Sequence, residues 1–477
     1  MGTLTIKVLI IEDEAEFIEE LRQIFEELPS PSNVQAARSR ESAFAFLEKD
    51  FFDLIVLDLK IPTIDYALDA DPKHGHAVFS RARNVVPGTA IFVLTGSPVE
   101  DFVSAMLHQQ QQVDIWGQGK KIGSIDFLTK LNIEECPARL GPIAAAVDAL
   151  SDVELDRGAV DLEAAQERLI RIFAKRFGGA RCAVSQLSGG LSGAKVVRLR
   201  VTDQGGARIH DAVAKLGSHE DVQDEVKRFD SQVSRLDPKA TPRKLATLDF
   251  GGGPIAGVFY GLVDGAEASA FDLAGFQDGR AASAVKNVET STSRWIEGVP
   301  ETRRTIADVR RRLLSDDRLA SVLQKYPVAW IPQFEKGEIQ TRWACVHGDL
   351  HGSNVLFSID GSAVLIDYGD VAEGPASLDP ITLEFSVIFH PGGVTLNGWP
   401  SSEQAKQWGN VDVYLEGCPV AEFVRECRGW ASRVGAGQRE IAAAAYSYLV
   451  RQLRYEDTNK ELVLDLLIGV KRHYDAT

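Results

Sequence analysis

Val346-His347-Gly348-Asp349-Leu350-His351-Gly352-Ser353-Asn354-Val355-Leu356-Phe357, with Val364-Leu365-Ile366-Asp367-Tyr368-Gly369-Asp370 shortly after it, decides how the larger part of this chain is read. Two carboxylates and a side-chain amide, Asp349, Asp367 and Asn354, stand beside short apolar runs, and Asp349 and Asn354 are five residues apart. Phosphoryl transfer asks for such a set. It needs little covalent help from a protein, mainly metal ions on the phosphates and a carboxylate that orients and deprotonates the acceptor. His347 and His351 are four apart, as zinc ligands on a helix would be, yet Gly348 and Gly352 oppose a regular helix and no Glu follows His347. His347 is expected to brace the loop through hydrogen bonds.

Upstream, residues 211–216 read as a strand that ends in Ala214-Lys215-Leu216, a lysine among apolar neighbours. Burying an ammonium is costly unless an anion meets it. The phosphates of a nucleotide would serve, as would Glu225 on the following helix, with Glu220 as a substitute. Earlier still, residues 182–187, Ser188-Gly189-Gly190-Leu191-Ser192-Gly193-Ala194 and residues 195–201 read as strand, Gly-rich turn and strand. Such glycines let a backbone approach phosphates and present amides to an anion. A P-loop is excluded, because Ala194 stands where that motif needs Lys and Lys195 is followed by Val.

Taken together, these segments resemble the aminoglycoside phosphotransferase and choline kinase branch of the protein-kinase-like fold, from about residue 180 to the C-terminus. The spacing of Asp349 and Asn354 is that of the catalytic Asp and metal-binding Asn of the kinase loop, and Asp367 stands where a second metal-binding Asp is found. The resemblance implies a two-lobed α+β domain using ATP and Mg²⁺. Asp349 would be the catalytic base, and Asn354 and Asp367 the magnesium ligands. Ser188, Gly189, Gly190, Ser192, Gly193, Lys215 and Glu225 would hold the nucleotide, and the backbone of residues 262–264 would form the adenine hinge. No Ala-Pro-Glu follows Asp370; residues 374–380 lead straight into an apolar stretch, as in the small-molecule branch, with Asp379 expected to cap that helix. Helical segments at 271–325 and from 402 onward are expected to build the substrate-facing lobe.

The first 150 residues have a different rhythm. Strand candidates at 7–11, 34–37, 54–57, 90–94 and 124–128 alternate with helix candidates at 14–28, 40–49, 76–85, 99–111 and 134–150. This alternation predicts a doubly wound, five-stranded parallel sheet. Such sheets bind ligands beyond the carboxyl ends of their strands, where Glu12-Asp13, Asp58, Thr95 and Lys130 fall. Three carboxylates gathered there repel one another unless a divalent cation sits among them, and oxygen ligands suit Mg²⁺. A hydroxyl and an ammonium opposite would bind phosphoryl oxygens.

Ile11-Glu12-Asp13-Glu14, Val56-Leu57-Asp58, Leu94-Thr95-Gly96 and Phe127-Leu128-Thr129-Lys130 resemble the flavodoxin-like receiver domain of bacterial response regulators. The resemblance implies that Asp58 accepts a phosphoryl group, that Glu12 and Asp13 hold Mg²⁺ with it, and that Thr95 and Lys130 read the modification. It also implies an upstream histidine kinase or other phosphodonor. Two departures stand out: Leu131 replaces the usual proline after Lys130, and residues 60–75 form a longer loop than the family's, with His74 and His76 expected at its surface.

At 477 residues the chain is long enough for roughly three units of ~150 residues. The expected division is a receiver at 1–150, a linker or coupling helix at 151–179, an N-terminal kinase-like lobe at 180–265 and a helical lobe at 266–477. A net charge of −16 opposes nucleic-acid binding. The arginine-rich run at 303–312 is expected to be a solvated helix face. Five cysteines without a C-x-x-C pair read as reduced thiols in a cytoplasm. No apolar run is long enough for a signal peptide or membrane span, and Ile6 stands where a myristoylation signal wants Ser or Thr. In the linker, Leu162, Leu169, Ile172 and Phe173 share one helical face. That face can pack on a neighbouring domain, couple the two, or pair with a copy of itself in a homodimer. The expected function is a signalling phosphotransferase regulated by a phospho-accepting receiver, with an acceptor that is a small molecule or protein; the alternative is a nucleotide-binding pseudokinase scaffold.

Overall fold

The computed structural model describes residues 4–96, 111–187, 194–262 and 268–477. It divides into two compact units, one of residues 1–223 and 244–261, the other of residues 224–243 and 262–477.

In the first unit, strands β1 (Ile6–Ile11), β2 (Ser32–Ala37), β3 (Leu54–Leu57), β4 (Ala90–Thr95) and β5 (Ile125–Thr129) form one sheet in the order β2-β1-β3-β4-β5. Every adjacent pair is parallel, and the order is the flavodoxin-like one. β3 and β4 are buried along their whole length, because helices cover both faces of a parallel sheet. Helix α1 (Ala15–Glu27) turns Ile18, Leu21 and Phe25 inward. Helix α2 (Arg40–Lys49) starts on a capping box between Ser39 and Ser42. Helix α3 (Pro72–Val85) begins four residues earlier than its apolar pattern suggests, because Asp71 caps it and Pro72 suits the first helical position. His74 is therefore not a surface loop residue: it is buried in the first turn of α3, with Nδ1 2.9 Å from the Ile61 carbonyl oxygen. The expected helix at 99–111 lies almost wholly outside the described residues. The one expected at 134–150 is a 3₁₀ turn over Lys130–Glu135 followed by α4 (Cys136–Asp148).

The segment expected as a linker or coupling helix at 151–179 also supplies a further strand. β6 (Glu154–Asp156) pairs parallel with β7 (Arg181–Gln186). It extends a sheet with β8 (Lys195–Thr202), β9 (Arg208–Ser218), β10 (Arg243–Leu248) and β11 (Ile255–Gly261), in the order β10-β11-β9-β8-β7-β6. One apolar core runs from the parallel sheet through helix α5 (Ala164–Arg176) into this second sheet. Leu169, Ile172 and Phe173 are buried in it, so the stripe on α5 is spent within its own chain. Arg168, also on α5, is buried too: its Nη2 donates to Asp53 Oδ2 at 2.9 Å and its Nε lies 2.9 Å from Asp53 Oδ1. Gly88 and Gly253 add a backbone bridge between the parallel sheet's loops and the second sheet.

The second unit is a mixed structure of two small sheets and many helices. Ala268–Ser269, Val355–Phe357 and Ala363–Leu365 make one sheet; Glu301–Thr305, Glu338–Val346 and Ala372–Pro375 make the other. The helices Leu378–Phe389 and Gln438–Gln452 are buried almost all round, as central helices of a helical lobe must be. The arginine-rich run is not one solvated helix face. It is a strand followed by the short helix Ile306–Arg311, and Arg310 is buried against Glu335, which accepts its Nε–H at 2.7 Å. All five cysteines are free and buried. Among the described residues, no helix is long and apolar enough to cross a membrane.

Candidate functional site

The first site lies at the carboxyl ends of the parallel strands. Glu12 and Asp13 follow β1, Asp58 follows β3, Thr95 ends β4 and Lys130 follows β5. Glu12, Asp58 and Thr95 are buried. Lys130 reaches across with Nζ 2.7 Å from Glu12 Oε2 and 2.8 Å from Asp58 Oδ2, above the Phe17 ring. Thr95 pairs in register with Thr129, next to Lys130. Burial, reinforced by Asp58, pushes Glu12 up to about 7 against the pull of Lys130. Burial also raises Asp13. Burial works against the ammonium of Lys130, and the carboxylates of Glu12 and Asp58 more than offset it, so its pKa stays above the ordinary lysine value. Single oxygens of Glu12, Asp13 and Asp58 lie within 4.8 Å of one another. Three hard oxygens of net negative charge fit a small divalent cation. The long loop after Asp58 is rooted at the site, since Lys60 N donates to Asp58 Oδ1 at 3.2 Å.

The second site is built in the second unit on the loop between the strands Glu338–Val346 and Val355–Phe357. The chain turns at Gly348, whose φ of +82° suits glycine and where a Cβ would lie 2.6 Å from the Asp370 carbonyl oxygen. Asn354 Nδ2 donates to the Asp349 carbonyl at 2.9 Å, and Ile366 N donates to the Asn354 carbonyl at 3.0 Å. The three predicted residues are thereby brought to one place: Asp349 and Asn354 close a single turn, and Asp367 directly follows the strand end bonded to it. With Nδ2 engaged, the amide oxygen of Asn354 is the atom left for a cation, and with the Asp367 carboxylate it makes a donor set that fits Mg²⁺. Asp367 itself is held at a φ of +62°, a conformation a non-glycine residue adopts only where its surroundings impose it. His347 Nε2 lies 3.0 Å from the Ile366 carbonyl, bracing the loop as expected.

Asp379 does something other than cap a helix. Its carboxylate accepts the backbone N–H of His347 at 2.7 Å and of Gly348 at 3.0 Å, so it ties the loop that carries Asp349 to the helix Leu378–Phe389. Burial raises its pKa against the pull of His347 and those two N–H groups. Glu440 performs a similar service one layer out, accepting N–H bonds from Arg342, Ser377 and Ala436. Near the other end of the same helix, Gln438–Gln452, Arg451 Nη2 lies 3.3 Å from Asp349 Oδ1. On the opposite side, His351 Nε2 is 3.8 Å from Asp349 Oδ2, and its ring stacks on His390 at 4.2 Å. Burial pushes His351 down to about 4 and lowers His390 as well, so both imidazoles are neutral at pH 7. Neither Arg451 nor Glu440 belongs to a local motif, and nothing in the sequence marks them.

For the residues expected to hold a nucleotide the picture is partial. Lys215 is buried in β9, and Glu225 is buried on the helix His219–Ser231; they belong to different units. Ser188, Gly189, Gly190, Ser192 and Gly193 lie outside the described residues, as do Val263 and Asp264 of the expected hinge.

The first unit thus carries an acidic pocket on a flavodoxin-like sheet, and the second carries the Asp349, Asn354 and Asp367 loop on a mixed α+β frame. Residues 8–115 match the response regulator receiver domain, and residues 183–398 match the phosphotransferase enzyme family. The chain thus carries a receiver domain joined to a phosphotransferase-family domain. Among solved structures it is similar to the CheY-like receiver domain from Methanospirillum hungatei, at 18% identity over 30% of this chain and 98% of that one, with a TM-score of 0.21. The receiver domain of the Francisella response regulator 1452 gives 20%, 30%, 98% and 0.21. The phosphorylated cyanobacterial phytochrome response regulator RcpA gives 22%, 29%, 91% and 0.22. No curated protein matches the chain.

Proposed function

We propose that the chain is an ATP- and Mg²⁺-dependent phosphotransferase whose activity is set by phosphorylation of Asp58. The observation that carries this reading is the closed turn joining Asp349, Asn354 and the strand end before Asp367. Asp349 takes the proton of the acceptor hydroxyl as the acceptor oxygen bonds to the γ-phosphorus. The bond from that phosphorus to the β–γ bridging oxygen breaks, and ADP leaves with its electron pair. Asn354 and Asp367 would hold magnesium, which when bound would neutralise phosphate charge. Lys215, Glu225 and the Gly-rich turn at 188–193 are the residues this reading assigns to the nucleotide phosphates.

In the receiver, an Asp58 oxygen bonds to the phosphorus of a histidine kinase's phosphoimidazole or of a small phosphodonor, and the donor leaves with the electrons of its bond to phosphorus. Lys130 then exchanges the carboxylate for a phosphoryl oxygen, and Thr95 contacts another. The shared core through α5 and the Arg168–Asp53 pair support a mechanical link from receiver to the β6–β11 sheet. Five free buried thiols suit a reducing cytoplasm. The test is ADP release by the full chain with MgATP, with and without acetyl phosphate, in wild type and Asp58→Ala. Wild type should respond to the phosphodonor and D58A should not; identical rates in all four conditions would remove the regulatory part.

A further inference from the structure

We propose that Arg451 positions and selects the phosphoryl acceptor, and that this acceptor is an alcohol bearing a carboxylate or phosphate beside the hydroxyl that is phosphorylated. The inference rests on the phosphotransferase reading and names the substrate class of that same site.

Arg451 is far from the catalytic loop in sequence but touches its central carboxylate, with Nη2 3.3 Å from Asp349 Oδ1. Its side chain is only 14% exposed, and its guanidinium carbon lies 5.3 Å from the centre of the Tyr448 ring. The buried Nε finds no hydrogen-bond partner among the described residues. An arginine this enclosed, with a long bond to a carboxylate and a buried Nε left without an acceptor, is built to receive something else. The bond it does make is an obstacle to transfer: while Nη2 occupies Oδ1, the guanidinium competes with the acceptor hydroxyl for the oxygen that must take its proton.

A guanidinium is drawn from a carboxylate by another anion, and best by one that accepts its donors in pairs, as carboxylates and phosphates do. An alcohol carrying such a group satisfies both needs at once. Its anion takes Arg451, and its hydroxyl arrives at the Asp349 oxygen so released. A polycationic aminosugar would instead meet Arg451 with like charge, so the chemistry here departs from an aminoglycoside acceptor.

The test uses the full chain with MgATP and four probes: glycerol, glycerate, glycerol phosphate and kanamycin. Wild type, Arg451→Lys, Arg451→Gln and the exposed neighbour Arg454→Gln are compared by ADP release. Wild type should favour glycerate or glycerol phosphate over glycerol by about tenfold or more in kcat/KM, and which of the two is preferred tells carboxylate from phosphate. R451Q should bring that ratio close to one, chiefly through KM of the anionic probe. R451K should restore part of it, and R454Q should match wild type. ADP release that no anionic probe accelerates over glycerol, or a preference unchanged in R451Q, overturns the inference while leaving the transferase reading intact. No ADP release under any condition overturns the transferase reading beneath it.

Discussion

Arg168→Met should destabilise both sheets of the first unit together, and the size of the effect follows from what Arg168 touches. Asp53 is fully buried and Arg168 nearly so, with two nitrogen-to-oxygen contacts at 2.9 Å. Without Arg168, Asp53 keeps one backbone donor, Lys7 N at 2.9 Å. Removing one partner of a buried pair costs about 3–5 kcal/mol. Burial already raises Asp53 against the pull of Arg168, so the stranded carboxyl can take up a proton, which favours the lower end of that range. The sign with pH follows. In R168M the folded-state pKa of Asp53 rises further above its unfolded value of about 3.9, so the folded protein keeps a proton that the unfolded chain has lost. Stability then falls as pH rises from the unfolded towards the folded pKa, and the deficit against wild type widens in that window. The double variant Asp53→Leu/Arg168→Met, with neither charge left, should recover most of the loss. Hydrogen exchange, read separately over β1 and β8, is the assay. Faster exchange in both strands of R168M is expected, because one core joins them. A cost below about 1 kcal/mol, a loss confined to one sheet, or a double variant as unstable as R168M would refute the reasoning.

Asp379→Ala should cost about 2–6 kcal/mol by leaving the buried N–H groups of His347 and Gly348 without an acceptor, with Asp379→Asn costing roughly half; urea unfolding of the second unit, followed by exchange at the catalytic loop, measures both. The thiols should be inert in the folded chain. Burial pushes Cys136, Cys182, Cys345 and Cys418 up to about 12 and raises Cys427 as well. At pH 8 only about one thiol in 10⁴ is then ionised. A colorimetric disulfide reagent should react with none of the five cysteines in buffer and with all of them in denaturant.

What the sequence disclosed was whatever short segments could carry by themselves. The buried parallel strands announce themselves as apolar runs, and the residues just beyond them form the acidic pocket, because in such a sheet the strand end dictates where the next side chain lies. Asp349 and Asn354 were legible for the same reason: a tight turn keeps them together, and the short strand before Asp367 is bonded back to that turn. Elements defined by distant partners were not legible. β6 is a three-residue strand whose only reason to be extended is β7, 27 residues away from Glu154 to Arg181. Asp379 looked like a cap because an acid at a helix start commonly is one, and nothing local reveals that its acceptors point at His347 and Gly348. Arg451 reaches Asp349 across 102 positions. His74 and Arg310 misled in the opposite sense, as polar residues in polar stretches that a backbone carbonyl and a carboxylate, respectively, draw into the interior.

The most direct trial of the account is a single-turnover experiment with γ-labelled ATP and magnesium, on the full chain as wild type and as Asp349→Asn, with nucleotide binding measured alongside. The account predicts comparable binding by both and label transfer, to acceptor or water, that falls by about 10³-fold or more in D349N. Equal transfer by the two proteins would contradict it.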